Sequence, residues 1–284
     1  MTAANGIKSE TNGATALMRR CAANVIAALT MLVRPARIHP KLPWLPERQQ
    51  LAIAAGIFAA VLLIVMIFID AAAINAVAHL PRWLISVFDW LTDFGKSGWF
   101  LWPLGILFLA LAALPQGLTR VSQHVVAVMM VRVGFLFVAI GVPSLFVTIV
   151  KRFIGRGRPL VTGVADPFVF DPFKWSAAYA GLPSGHTTTA FAALVAFGSL
   201  WPRARSTVLI YALVIAASRV IVTAHYPSDV LAGVVVGTVG ALMVRRWFAL
   251  RHLGFSVGPD GVLHQNPGPS LKRIKSVARE LLAQ

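Results

Sequence analysis

From Leu51 to Ile69 the chain carries no charge at all, and five further apolar stretches of similar character follow it. A bilayer core about 30 Å thick is crossed by roughly 20 helical residues. A chain with several such runs folds as a bundle of membrane-spanning helices, because the backbone polar groups must be satisfied inside each segment. Only 13% of the residues are charged, against roughly 25% in a soluble domain. The expected fold class is therefore all-α, a polytopic membrane protein with six transmembrane helices. The runs are Leu51–Ile69, Trp99–Leu114, His124–Val150, His186–Trp201, Thr207–Val222 and Ser228–Val244. Arg132 lies inside the third, and Pro143 marks a kink there. Cys21–Val33 is apolar but short, and it reads as a helix on the membrane surface, with a signal anchor as the weaker option. Residues 71–98 are mixed and read as an interfacial helix, with Trp83, Leu84, Val87 and Leu91 at helical spacing.

These boundaries give three parts. Residues 1–50 form an N-terminal segment, 51–245 the six-span domain, and 246–284 a basic tail. Within the tail, Ser270–Leu282 places Leu271, Ile274, Val277 and Leu281 on one side of an amphipathic helix.

The net charge is +16. In a soluble protein that would suggest nucleic acid, but here its position points to membrane orientation instead. An even number of spans puts both termini on one side. Lys8, Arg19, Arg20, Arg34, Arg37, Lys41 and Arg48 precede the first span, Arg120, Arg203 and Arg205 lie in intervening loops, and Arg245, Arg246, Arg251, Lys272, Arg273, Lys275 and Arg279 fall in the tail. Cations of this kind stay cytoplasmic. The expectation is a plasma (inner) membrane protein with cytoplasmic termini. The one cysteine, Cys21, excludes an intrachain disulfide and a multi-cysteine metal site.

Three polar clusters then fall on the opposite, outward face. Lys151–Pro159 reads KRFIGRGRP, Pro183–His186 reads PSGH, and Ser218–Asp229 reads SRVIVTAHYPSD. A Pro-Ser-Gly turn running into a helix presents unpaired N–H groups and the positive end of a helix dipole, which suits an anion. Lys151, Arg158 and Arg219 add cations. Arginine's planar fork fits two phosphate oxygens, whereas lysine acts as a point charge. Phosphoryl transfer requires mostly such positioning and charge stabilisation. His225 stands four residues before Asp229, whose carboxylate can fix the ring tautomer and leave the other nitrogen as a nucleophile. His186 can then protonate a leaving alkoxide. Taken singly, Lys151 and Arg152 read as a charged helix stop, and a lone histidine at a helix end reads as structural. Three clusters on one face outweigh those readings.

The three clusters fit K-x6-RP, PSGH and SR-x5-H-x3-D, in that order. Together they resemble the type 2 phosphatidic acid phosphatase (PAP2) superfamily over roughly residues 50–245. The resemblance implies a metal-independent, cofactor-free membrane lipid phosphatase. His225 would form a phosphohistidine, Asp229 would orient it, and His186 would be the general acid. Lys151, Arg158, Ser184, Gly185 and Arg219 would bind the phosphate. Soluble vanadium haloperoxidases share a similar pattern, but six apolar spans argue against that role. The expected substrates are lipid A 1-phosphate, undecaprenyl diphosphate or phosphatidylglycerol phosphate, with no nucleic acid or protein partner implied. A lipid-to-lipid phosphotransferase uses the same site, and a non-enzymatic transporter of anionic lipid leaves the His225/Asp229 pair unexplained. Carboxylates near the site are too few for a hard-cation cage. Phe168, Phe170, Phe173 and Trp175 form an aromatic loop beside the site, expected either to dip into the outer leaflet or to pack the loop.

Overall fold

The computed structural model describes residues 2–37, 47–115 and 117–283, with side chains from residue 15 onward. Lys41 and the side chain of Lys8, counted above among the inner cations, lie outside the described residues. The helices are α1 (Thr2–Val33), α2 (Arg48–Phe68), α3 (Asp70–Val77), α4 (Arg82–Thr92), α5 (Gly98–Ala113), α6 (Arg120–Ile154), α7 (Gly185–Leu200), α8 (Arg205–Ile221), α9 (Pro227–Ala249) and α10 (Leu271–Leu282). A hairpin of β1 (Phe255–Val257) and β2 (Leu263–Gln265) pairs Ser256 with His264. The chain is thus a helical, multi-pass membrane protein, as the apolar runs predict.

By length and composition, six helical stretches among the described residues are able to cross a membrane: Thr15–Val33, Arg48–Phe68, Arg82–Ala113, Arg120–Ile154, Pro202–Ile221 and Pro227–Ala249. Two differ from the expected set. The run expected to lie on the surface is the end of α1, which the small and apolar residues before Cys21 lengthen into a spanning stretch. The run His186–Trp201 forms α7, at 16 residues shorter than the roughly 20 of an ordinary span; Arg219 in the last turn of α8 stands near His186 at the start of α7, so α7 carries the chain away from the site and α8 returns it. No residue of α7 is exposed. The expected interfacial helix divides into α3 and α4, and α4 joins α5 through a 3-10 turn at Asp93–Gly95.

The chain divides into two compact units. The first comprises Met1–Leu42, Trp102–Phe137 and Arg246–Gln284. Its core holds Leu111, Leu118, Val125, Val126, Val133 and Val277. The tail folds back within this unit rather than trailing free. Ile274 and Leu281 of α10 pack on that core, while Leu271 stays exposed. Ser270 caps α10 by accepting from the Arg273 N–H, and Glu280 accepts from Ser122 Oγ and from the backbone N–H and hydroxyl of Thr119. Arg132 donates to the Asn266 carbonyl at 2.7 Å.

The second unit comprises Pro43–Leu101 and Val138–Arg245, and α7 is its centre. Ala190, Phe191, Ala212, Ile215 and Ala216 form its core across α7 and α8. Small residues let helix backbones approach closely. The extreme case is Gly237 of α9, where a Cβ would lie 2.3 Å from the Thr188 carbonyl oxygen of α7. This approach fixes the two helix N-termini that build the site.

Candidate active site

All eight residues singled out from the sequence lie in the second unit. The site is assembled from four helix ends and one loop. Lys151 sits in the last turn of α6, and Arg219 in the last turn of α8. Ser184 is the N-cap of α7, followed by Gly185 and His186. Asp229 lies in the first turn of α9. Arg158 comes from the loop after α6, which doubles back so that Arg156 bridges Phe170 and the Gly157 N–H donates to the Val169 carbonyl. Gly155 starts that reversal at φ +61, a conformation where a Cβ would collide with the Asp171 carbonyl.

Two backbone links set the register of the site. The Ser184 N–H donates to the Asp229 carbonyl at 2.9 Å, tying α7 to α9. The His225 N–H donates to the Arg219 carbonyl at 3.1 Å, tying the α8–α9 turn to the end of α8. His225 is 2% exposed, and its Nδ1 lies 3.4 Å from Asp229 Oδ2. Nδ1 has no hydrogen-bond partner among the described residues at this separation. Asp229 Oδ2 accepts from the Tyr226 N–H and Oδ1 from Arg156. Burial pushes the His225 pKa down, and this outweighs the opposing pull of Asp229. Burial thus favours the neutral ring.

The cations converge on the N-terminus of α7. A Cβ on Gly185 would sit 3.9 Å from Lys151 Nζ. Lys151 lies within electrostatic reach of Arg158 and Arg219, and His186 within reach of Arg219, His225 and Lys151. Arg219 is 6% exposed; one end donates to Thr92 Oγ1, while its Nε is buried without a partner. Arg158 Nε is likewise buried and unpartnered. Unsatisfied guanidinium nitrogens beside a helix N-terminus form an anion site, since each needs an acceptor that the protein does not supply. Burial, with repulsion from Arg152 and against attraction from Asp229, lowers the Arg158 pKa; a guanidinium remains charged nonetheless. Among the described residues no group of three His, Cys, Asp or Glu side chains is placed to hold a metal ion.

Several residues of the site escaped the sequence reading. Arg156 is fully buried and joins Asp70 at 2.8 Å and Asp229 at 2.5 Å. Asp70, read as the end of the first span, starts α3 and is also fully buried. Thr92 receives Arg219, and Gly95 packs beside His186. A lone carboxylate closing a long apolar run was the one visible signal for Asp70, because a charge there needs a partner. Arg152 donates to the Trp175 and Ser176 carbonyls and so fastens the loop. Phe168, Phe170, Phe173 and Trp175 are all exposed, which favours contact with lipid over packing of the loop.

A family model described as the PAP2 superfamily matches residues 132–253, a range holding all eight residues. Lipid A 1-phosphatase from Rhizobium johnstonii is 36% identical over 172 residues, covering 60% of this chain and 70% of that protein. The putative undecaprenyl-diphosphatase YbjG of Escherichia coli is 30% identical over 182 residues, covering 63% of this chain and 81% of that protein. The crystal structure of Aquifex aeolicus LpxE is similar at 20% identity and a TM-score of 0.46, covering 62% of this chain and 94% of that one.

Proposed function

This chain belongs to the PAP2 superfamily, and from that premise we propose that it is a membrane lipid phosphatase working through a phosphohistidine on His225 without a metal ion. The observation that carries the reading is the pair of buried, unpartnered guanidinium Nε atoms of Arg158 and Arg219 near the α7 N-terminus, with the buried His225 beside them. Lipid A 1-phosphate is the first choice of substrate, supported by the name of the Rhizobium johnstonii relative. Undecaprenyl diphosphate follows, supported by the Escherichia coli relative; phosphatidylglycerol phosphate offers the same terminal phosphate chemistry.

Lys151, Arg158, Arg219 and the amides near Ser184 and Gly185 hold the phosphate oxygens. The lone pair of His225 Nε2 forms the N–P bond as the P–O bond to the lipid breaks. Burial, then Arg219, push the His186 pKa down to about 3, so this ring takes up a proton only as the phosphate dianion binds beside it; it then gives that proton to the leaving oxygen. His225 Nδ1 keeps its proton against Asp229, so the ring becomes cationic in the phosphoenzyme. Water then loses a proton to His186 and attacks phosphorus. The N–P bond breaks, its electron pair returns to Nε2, and phosphate departs. Each cation stabilises charge that grows in the transition state, and losing one such donor costs about 100- to 1,000-fold in rate.

The active site faces outward in the plasma membrane, a placement supported by the cations of the tail. A membrane-impermeant thiol reagent tests it on intact cells with Cys21→Ser as background. Lys174→Cys is expected to label and Ser276→Cys to stay protected, and the reverse pattern inverts the orientation. The function is tested by phosphate release from purified protein in detergent with EDTA. The panel is lipid A, undecaprenyl diphosphate, phosphatidylglycerol phosphate and phosphatidic acid, with His225→Ala alongside. Release from one lipid, abolished in the variant, is the expected result. Release that survives in His225→Ala, or no release from any lipid, would overturn the reading.

A further inference from the structure

Asp70, Arg156 and Asp229 form an unbroken chain of charges, each fully buried. Arg156 Nη2 donates to Asp70 Oδ2 at 2.8 Å and Nη1 to Asp229 Oδ1 at 2.5 Å. Its Nε donates to the Pro167 carbonyl at 3.0 Å, and Nη1 also reaches Ser228 Oγ at 2.6 Å. The Tyr226 ring lies under the guanidinium, 4.8 Å from ring centroid to Cζ. Asp70 is held in turn by the Ser228 N–H at 2.9 Å and by Ser228 Oγ. Each nitrogen of the Arg156 fork thus has a partner. Asp70 stands about 160 residues from Asp229, outside the stretch that holds the three motifs.

A buried ion chain is a poor device for stability, because desolvation cancels much of the attraction and apolar side chains of equal volume do as well. This one has an odd number of charges. Two carboxylates and one guanidinium leave one net negative charge, and Asp229 presents it to His225.

We propose that Asp70 and Arg156 are positioning residues for His225, acting through Asp229. Arg156 fixes the Asp229 carboxylate by Oδ1, so that Oδ2 faces the imidazole. Asp70 restores the negative charge that Arg156 would otherwise cancel. The chain then offsets the positive charge that the ring acquires when Nε2 carries the phosphoryl group. This rests on the phosphohistidine reading above. The other charged or titratable groups facing His225 are Arg219 from α8, Arg158 from the loop and His186 from α7. Arg219 and Arg158 are cationic and push the His225 pKa down, and only the chain ending in Asp229 opposes them.

The test is the titration of His225 itself, followed by histidine-selective 15N NMR of the full chain in detergent and assigned with His225→Gln. Asp70→Asn removes a negative charge, and Arg156→Gln removes a positive one. The two variants are expected to move the midpoint in opposite directions, down and up, each by about half a pH unit or more. Both lower kcat by about tenfold or more while changing KM little. Arg156→Lys and Asp70→Glu keep the charges, so they hold the midpoint while still lowering kcat. That pair decides the matter if the neutral variants do not fold. A purely structural role would lower activity without opposed shifts. Coincident midpoints in folded Asp70→Asn and Arg156→Gln, or a moved midpoint in the charge-keeping pair, would overturn the proposal. The titration needs no turnover, so a wild type inactive on every lipid would overturn the phosphatase reading and still leave the positioning role decided by the midpoints.

Discussion

Gly95 lies directly against His186: a Cβ added at Gly95 would sit 2.9 Å from the His186 Cβ and 2.8 Å from Ile215 Cγ2. The 3-10 turn between α4 and α5 is therefore a wall behind His186, the proposed general acid. Gly95→Ala must push the imidazole aside or open the turn. A displacement of about 1 Å at a catalytic group is enough to cost about 100-fold. The expected outcome is a fall in kcat of about tenfold to 100-fold, with the thermal unfolding midpoint changed little. A variant with unaltered kcat would show that His186 does not depend on this wall.

The pH dependence follows from His225. On the proposed mechanism His225 attacks only when neutral, so activity is lost as pH falls through its pKa. Burial lowers that pKa. The acid limb of kcat/KM, which reports the free enzyme, is expected below the ordinary histidine value of about 6.5. A limb above that value would mean that Asp229 outweighs desolvation.

Substrate tails provide a third prediction. Phe170 and Phe173 are exposed beside the site, where aromatic rings favour the membrane interface. The double variant Phe170→Ser/Phe173→Ser is expected to raise KM about tenfold for a long-chain lipid phosphate and to leave a short, soluble phosphate ester nearly unaffected. Parallel losses on both substrates would remove the loop from lipid capture.

Two glycines separate close approach from open space. A Cβ at Gly237 would meet the Thr188 carbonyl oxygen at 2.3 Å, whereas one at Gly56 would meet nothing within 4 Å. Gly237→Ala is expected to destabilise the protein by about 1–3 kcal/mol, seen as a lowered unfolding midpoint in detergent. Gly56→Ala, in the middle of α2, should remain within about 1 kcal/mol of the parent.

The helical membrane architecture was legible because an uncharged run has one outcome in lipid. That the three motif clusters come together at one site was legible for a similar reason, since lysine, arginine and histidine at fixed spacing near helix ends have few other uses. Asp70 and Arg156 were not. Asp70 is far from its partners along the chain, and the balance of a buried charge set becomes visible only when all its members are placed. Arg156 stands between two motif positions and looked like a flanking cation. That His186–Trp201 is enclosed by protein along its length was not legible, because the same small and apolar residues serve a helix surrounded by lipid or by protein. Cys21–Val33 looked too short only because the residues before it continue the helix without being strongly apolar. The motifs thus show which residues gather at the site, while the groups that hold the Asp229 carboxylate emerge from packing.

α7 carries the anion site on its first turn and is enclosed by side chains along its length. Acyl chains do not hold this helix in place, so a thicker or thinner bilayer has little purchase on the depth of the phosphate. The spanning helices can tilt to match the surrounding lipid, while the catalytic centre keeps its level like an instrument hung in gimbals.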